Sequence, residues 1–315
     1  MNWDEKSVVV TGGTGFLGSR IVSILKEKGV KSVISPSSKE YDLRLRENCS
    51  NITKNIDIVF HLAAKVGGIG LNNEKPGELF YDNLIMGTNL MEEARCNNVE
   101  KFIALGTVCS YPKFTPIPFS ETSIWDGYPE ETNAPYGLAK KMLLVQSDAY
   151  RKQYNFNSIV IFPTNLYGPY DNFDDSSSHV IPALIKKITL AKKMNKDSIS
   201  LWGDGSPTRD FLYVDDAANG IVLSAEKYSK SFPLNLGTGY EISIKELAEK
   251  LLKIMNANLE IKWETDKPNG QPRRCISIEK AAEEIGFSPK TNLDEGLKRT
   301  AEWYESKLNL VESKY

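Results

Sequence analysis

The chain has 315 residues, 41% of them hydrophobic, and a formal charge of −2, which suffices for one large core or a core with a smaller lobe. That balance offers no broad basic field, and the doublets Lys140-Lys141, Lys186-Lys187 and Lys192-Lys193 read as solvated helix faces, so no nucleic-acid partner is expected. The start MNWDEKSVVV is acidic, no run approaches the roughly 18 apolar residues of a membrane span, and Cys49, Cys96, Cys109 and Cys275 lack paired CxxC spacing. The expectation is a cytoplasmic chain with no membrane partner and no metal site.

In chain order, SVVV leads into a helix over 16–27, and SVIS and IDIVFHLAA follow as strands. A helix over 80–97, the strand KFIAL, a helix after Pro135 and the strand SIVIF come next. Continuous apolar strands separated by amphipathic helices predict an α/β, doubly wound parallel sheet of the Rossmann type, covered on both faces. Beyond Asn165 the segments YGPYDNFDDSSS, WGDGSPTRD and TDKPNGQPRR are loop-rich. FLYVDDAANGIVLSAEK and FPLNLGTG read as a helix and a strand that rejoin the sheet. The expected division is 1–168 plus about 210–240 for the dinucleotide-binding domain, and about 169–209 plus 241–315 for a smaller, discontinuous α/β substrate lobe.

The first chemical pattern is VVVTGGTGFLGSRIVSILKEKG, where Gly12, Gly15 and Gly18 stand between a buried strand and a helix. The first glycine permits a tight turn, the second close backbone approach and the third close helix packing, so that a pyrophosphate meets the helix N-terminus. After the second strand, Ser37, Ser38 and Lys39 precede Glu40. A cation there suits a 2′-phosphate, which favours NADP(H); a solvated loop lysine is the alternative, and NAD(H) stays possible.

In NAPYGLAKKMLLVQSDAY, Tyr136 and Lys140 share a helical face. A cation beside the phenol favours phenolate and lowers its pKa toward the range useful for proton exchange with a carbinol or ketone oxygen.

The blocks HLAAKVGGIG, LGTVCSYPKF, NAPYGLAKK, PTNLYGPYDNF, SSSHVIPALI, WGDGSPTRDFLYVDD, NLGTG and KPNGQPRR resemble the extended, sugar-nucleotide branch of the short-chain dehydrogenase/reductase superfamily, almost end to end. TVCSYPKF, NLYGPYDNF and SSSHVIPALI resemble its epimerase-reductases. The resemblance implies a GDP-linked deoxy-keto sugar substrate: epimerisation of GDP-4-keto-6-deoxy-D-mannose at C3 and C5, then hydride delivery from NADPH to C4, giving GDP-L-fucose.

It further implies catalytic roles for Tyr136 with Lys140, for Cys109 as base and for His179 as acid. Thr107 stands where the family usually has Ser; its hydroxyl can still donate to the ketone, while its methyl takes up volume. His61, in VFHLAA, reads as a strand-end residue beside the cofactor. Cofactor contacts are expected from Thr14, Phe16 and Leu17 in the glycine loop, from Leu62, Ala63 and Ala64, and from Pro163, Asn165, Leu166 and His179. Substrate contacts are expected from Asn133 and Asn165, each alternatively a turn brace, and from Lys187, Trp202 and Asn269. Arg209 resembles a pyrophosphate-binding arginine, with an ion pair to Asp210 or Asp215 as its alternative.

Helix faces carrying Leu84, Leu90 and Met91, and Met142, Leu143 and Val145, resemble those of a homodimeric four-helix bundle; intramolecular core is the other use for them. Two rival functions stand beside this reading. One is an epimerase or dehydratase of the same fold that retains NAD without net reduction, the other a binding protein that has lost its chemistry. Retention of both Tyr136 and Lys140 argues against the second.

Overall fold

Short β-branched runs buried on both faces make the strands, and helices with one apolar stripe cover them. The computed structural model describes residues 1–175, 177–267 and 269–312; Ser176 of SSSHVIPALI and Pro268 of KPNGQPRR lie outside the described residues. The first part comprises β1 (Ser7–Thr11), α1 (Phe16–Glu27), β2 (Ser32–Ile34), α2 (Arg46–Thr53), β3 (Ile58–His61), α3 (Ile69–Glu74) and α4 (Pro76–Cys96). It continues with β4 (Lys101–Leu105), α5 (Ala134–Tyr154), β5 (Ser158–Pro163) and β6 (Asn165–Tyr167). Then come α6 (Val180–Lys193), β7 (Ser198–Trp202), β8 (Thr208–Tyr213), α7 (Val214–Lys227) and β9 (Leu234–Leu236). The remainder is β10 (Glu241–Ser243), α8 (Ile244–Ile254), β11 (Glu260–Glu264), β12 (Arg273–Arg274), α9 (Glu279–Ile285) and α10 (Leu293–Glu312).

The main sheet has six parallel strands in the order β2-β1-β3-β4-β5-β9. The order reverses between β1 and β3, so a crevice opens beyond their C-terminal ends, where such sheets hold ligands. One face carries a core joining Val8, Ile21 and Phe60 to Ile221 of α7 and Ile285 of α9; the other joins Val9, Phe102 and Phe162 to Leu90 of α4 and Leu143 of α5.

A second assembly sits beyond this sheet. β8 is flanked by β10 and β12 and also pairs with β6, while β7 pairs with β11. Its core draws Ile185, Leu201 and Phe211 together with Leu247, Leu297 and Tyr304.

Three local expectations shift. The helix expected over 80–97 begins earlier, at Pro76, because proline fits a first turn whose N–H groups need no partner. FLY of FLYVDDAANG belongs to β8, where pairing with β6 wins over helix extension. Leu90, Met91 and Leu143 are fully buried in the second core, so they serve the intramolecular packing and leave Leu84, Met142 and Val145 toward the outside.

Candidate active site

One cleft of about 1320 Å³ runs from the ends of β1 and β3 into the second assembly. Gly12, Thr14, Gly15, Phe16, Leu17 and Gly18 line its first part, with Leu62, Ala63 and Ala64 beside them. Pro163, Asn165 and Leu166 line it further on, together with Thr107, Cys109, Tyr136, Lys140 and His179. Asn133, Lys187, Trp202, Arg209 and Asn269 carry the lining into the second assembly.

Ser37 and Lys39 are the exceptions. Pro36, Ser38 and Arg44 line the cleft there instead. The cause is a tight turn: Tyr41 N donates to Ser37 O at 2.8 Å and Lys39 N to Ser37 Oγ at 3.2 Å, which occupies Ser37 and leaves Lys39 exposed to solvent. Arg44, a cation in that lining, is already bound to Asp42 at 2.7 Å and to Asp82 at 3.3 Å.

The glycine turn fits a dinucleotide's diphosphate. Gly12 adopts φ +71°, and a Cβ on Gly18 would lie 2.1 Å from Gly12 O, so α1 packs directly on the turn. Gly15 caps α1 without any side-chain bond, leaving the first N–H groups of the helix for an anion.

The Thr107–Ser110 turn follows β4 and is pinned to α5. Thr107 Oγ1 accepts from Cys109 N at 3.3 Å, and Ser110 Oγ donates to Gly137 O at 2.7 Å. A Cβ on Gly137 would lie 2.4 Å from Cys109 O, so the glycine after Tyr136 lets helix and turn touch. Cys109 Sγ sits 3.9 Å from Asn133 Oδ1, and Asn133 Nδ2 donates to Glu130 Oε2 at 2.5 Å. Asn165 Nδ2 donates to Asp210 O at 2.8 Å. Asn165 therefore braces backbone, Asn133 is held by a carboxylate side chain, and both line the cleft.

Electrostatics here differ from the expectation. Burial raises the Tyr136 phenol pKa, the charge of Cys109 adds to that, and the Thr107 hydroxyl pulls the other way. Lys140, only 2% exposed, is itself brought down to about 8 by burial. The expected lowering of the phenol by Lys140 has no part in its shift; desolvation dominates and disfavours both charged forms. His179 keeps solvent contact at the cap of α6 yet is densely flanked by protein. Burial first, then the charge of Arg274, holds its imidazole below the ordinary value. His61 lies behind the site, fully buried, with Nδ1 3.0 Å from Thr11 Oγ1; burial, then Lys140, keeps it neutral.

Arg209 faces the cleft with a pKa lowered to about 9, first by burial and then by Arg274. Neither suggested acid pairs with it. Asp215 meets Arg20 at 3.3 Å, and Asp210 accepts from Thr238 N at 3.1 Å and Thr238 Oγ1 at 2.6 Å. Arg274 aligns with Arg209 in the β12–β8 register and is 8% exposed. Two guanidiniums side by side, with no carboxylate salt bridge among the described residues, suit a diphosphate. Arg274 was not singled out from sequence; the doubled arginine of QPRR was its only trace. Lys187 Nζ donates to Ser200 O at 2.7 Å, and Trp202, 55% exposed, presents a ring to the same part of the cleft.

A family model described as the NAD dependent epimerase/dehydratase family matches residues 8–237. The chain belongs to that family. It is 39% identical over 305 residues to a GDP-L-fucose synthase of Sinorhizobium fredii (strain NBRC 101917 / NGR234), covering 96% of each chain. A GDP-L-fucose synthetase from Naegleria fowleri bound to NADP superimposes with a TM-score of 0.86 at 27% identity, over 97% of this chain and 95% of that one. A GDP-6-OMe-4-keto-L-xylo-heptose reductase from C. jejuni gives 0.89 at 25% identity, over 96% and 99%.

Proposed function

We propose that this chain epimerises GDP-4-keto-6-deoxy-D-mannose at C3 and C5 and reduces C4 with NADPH, giving GDP-L-fucose. The observation that carries this reading is the arrangement of one cleft. Cys109, Tyr136 and His179 line it together with the uncapped α1 turn at one side and the Arg209–Arg274 pair at the other. The nucleotide-sugar relatives support the same assignment.

The C4 ketone acidifies the C–H bonds on both sides of it. Cys109 removes a proton from the sugar and His179 returns one on the opposite face, while the Thr107 hydroxyl and the Tyr136 phenol hold the enolate oxygen. A lowered pKa makes the His179 imidazolium a stronger acid and a less populated one. Bound NADPH supplies hydride to C4. Tyr136 then gives its proton to the C4 oxygen, and the Lys140 ammonium steadies the charge left on the phenol. Gly12, Gly15 and the first N–H groups of α1 hold the cofactor's diphosphate; Arg209 and Arg274 hold that of the GDP-sugar, with Trp202, Lys187 and Asn269 around the nucleotide.

The same proposal assigns the dinucleotide to 1–168 plus about 210–240 and the nucleotide sugar mainly to the remainder. It makes the protein a homodimer through the outer faces of α4 and α5, where Tyr81 is 60% and Val145 51% exposed beside Leu84 and Met142. It places the protein in the cytoplasm, where its four free cysteines stay reduced. No helix of the described residues is long and apolar enough to cross a membrane.

Incubation of purified protein with GDP-4-keto-6-deoxy-D-mannose and NADPH should consume nicotinamide stoichiometrically and yield GDP-L-fucose by NMR. Conversion of the sugar with no NADPH oxidised would instead establish an epimerase or dehydratase with retained NAD.

A further inference from the structure

Asn235, fully buried on β9, uses three of its groups on the long loop that follows β4. Its Oδ1 accepts from Tyr111 OH at 2.8 Å, its Nδ2 donates to Phe119 O at 3.0 Å, and its backbone N donates to Glu121 Oε1 at 3.0 Å. Tyr111 and Glu121 are each 3% exposed and Phe119 is 2% exposed, so water cannot replace a lost partner. The Tyr111 ring also packs 5.3 Å from Phe119 and edge-on to Phe162 at 6.1 Å.

These contacts end next to the chemistry on two sides. Tyr111 lies two residues after Cys109. Phe119 N donates to Cys275 O at 2.8 Å, and Ser277 N donates to Phe119 O at 2.9 Å, so the far side of the loop is laced to the segment directly after Arg274. We infer that Asn235 is a positioning residue, which through Tyr111 and Phe119 fixes the Cys109 thiol in register with the Arg274 guanidinium. The base is thereby set against a sugar whose diphosphate is anchored at Arg209 and Arg274.

The catalytic turn has a second, separate attachment. Ser110 Oγ on Gly137 O ties it to α5, and α5 itself carries Tyr136 and Lys140. Loosening the Asn235 side leaves the turn held only at Ser110, so that Cys109 can pivot about that bond while the phenol and ammonium stay on their helix. Epimerisation should suffer more than hydride transfer, because proton abstraction from carbon depends steeply on the approach of the base.

This inference rests on the proposed epimerase-reductase function, and the test separates the two. In D2O, deuterium entry at C3 and C5 of GDP-4-keto-6-deoxy-D-mannose reads epimerisation; oxidation of GDP-L-fucose by NADP+ reads the hydride step without it. Tyr111→Phe deletes one hydroxyl and keeps the ring. It is expected to slow deuterium entry about tenfold or more while the initial rate of GDP-L-fucose oxidation changes by less than about threefold. Asn235→Asp, which loses the donor to Phe119 O, should shift the ratio in the same direction, and Glu121→Gln, which keeps an acceptor for Asn235 N, should leave it at the wild-type value. Equal loss of both steps in Tyr111→Phe, in proportion to a lowered Tm, would show a purely structural network and overturn the inference, as would an unchanged ratio. A wild-type protein that oxidises GDP-L-fucose yet admits no deuterium would overturn the assigned function itself, and the positioning role with it.

Discussion

The two ends of the cleft treat negative charge in opposite ways. At the glycine turn the cations in the lining are already spoken for: Arg44 holds Asp42 and Asp82, and Lys65 holds Glu78 at 2.6 Å and Asp82 at 3.1 Å. What remains for an anion is backbone, the free N–H groups at the start of α1. In the second assembly the backbone is committed to β8 and its neighbours, and the buried Arg274 and the half-buried Arg209 face the cleft without a carboxylate salt bridge among the described residues. A helix terminus holds a diphosphate by fixed dipoles and asks for little desolvation; a buried Arg pair is unfavourable alone, which is why burial and mutual repulsion depress Arg209 to about 9. On the proposed function, the first end is preformed and the second is completed electrostatically by its ligand.

Between them lies the chemistry, and its removal should have the largest effect. Tyr136→Phe is expected to lower NADPH oxidation by about 10³-fold with NADPH affinity retained in a fluorescence titration, since the proposed function makes the phenol the proton donor for the C4 oxygen. A variant within tenfold of wild type would reassign the donor.

The contrast between the ends is sharpened by Arg274→Ala. Loss of a charge-assisted contact worth about 1.5–3 kcal/mol should raise KM for the GDP-sugar about 10- to 100-fold and leave NADPH affinity unchanged. The variant should also fold at least as stably as wild type, because it relieves the repulsion on Arg209. A destabilised protein with normal KM would make Arg274 structural.

A smaller effect is expected from Lys39→Ala. With Lys39 in solvent and outside the cleft lining, its loss should weaken NADPH by no more than about tenfold and leave NADH unaffected, the size of one exposed charge at a 2′-phosphate. A loss of a hundredfold would mean that the side chain closes over the ribose.

The smallest effect on turnover is expected at Asp171. Burial lifts its carboxyl to about 7 against a backbone N–H bond from Asn172 that opposes the rise, and its Oδ2 is buried without a hydrogen-bond partner among the described residues. The folded chain therefore holds a proton that the unfolded chain releases near its reference value of 3.8. Stability should fall as pH rises from about 4 to 7, by up to about 4 kcal/mol at about 1.4 kcal/mol per unit. Asp171→Asn should flatten that part of the denaturation profile relative to wild type; an identical slope would contradict the assignment.

What the sequence displayed was whatever rests on local pattern. The helix over 16–27, the strands KFIAL and SIVIF, the glycine turn and the Tyr136–Lys140 spacing are each read within one element, and they stand in the structure where the periodicity puts them. Arg274 was hidden because β12 is two residues long and means nothing until its register with β8 brings it beside Arg209. The behaviour of Tyr136 was hidden for a related reason. Spacing shows that Lys140 shares a helical face with Tyr136, whereas the desolvation that raises the phenol belongs to the assembled fold. Ser37 and Lys39 were misplaced by a single tight turn, whose backbone bonds leave no trace in a Ser-Ser-Lys string.

On the proposed function, one cleft performs both proton exchange and hydride transfer on the same sugar. The most direct measurement is a single reaction in D2O with GDP-4-keto-6-deoxy-D-mannose and limiting NADPH, followed by NMR of the product. One NADPH consumed per GDP-L-fucose formed, with deuterium at both C3 and C5 of that same product, is the predicted result. A reduced product carrying protium at C3 and C5, with the substrate's configuration retained, would contradict it and leave a C4 reductase.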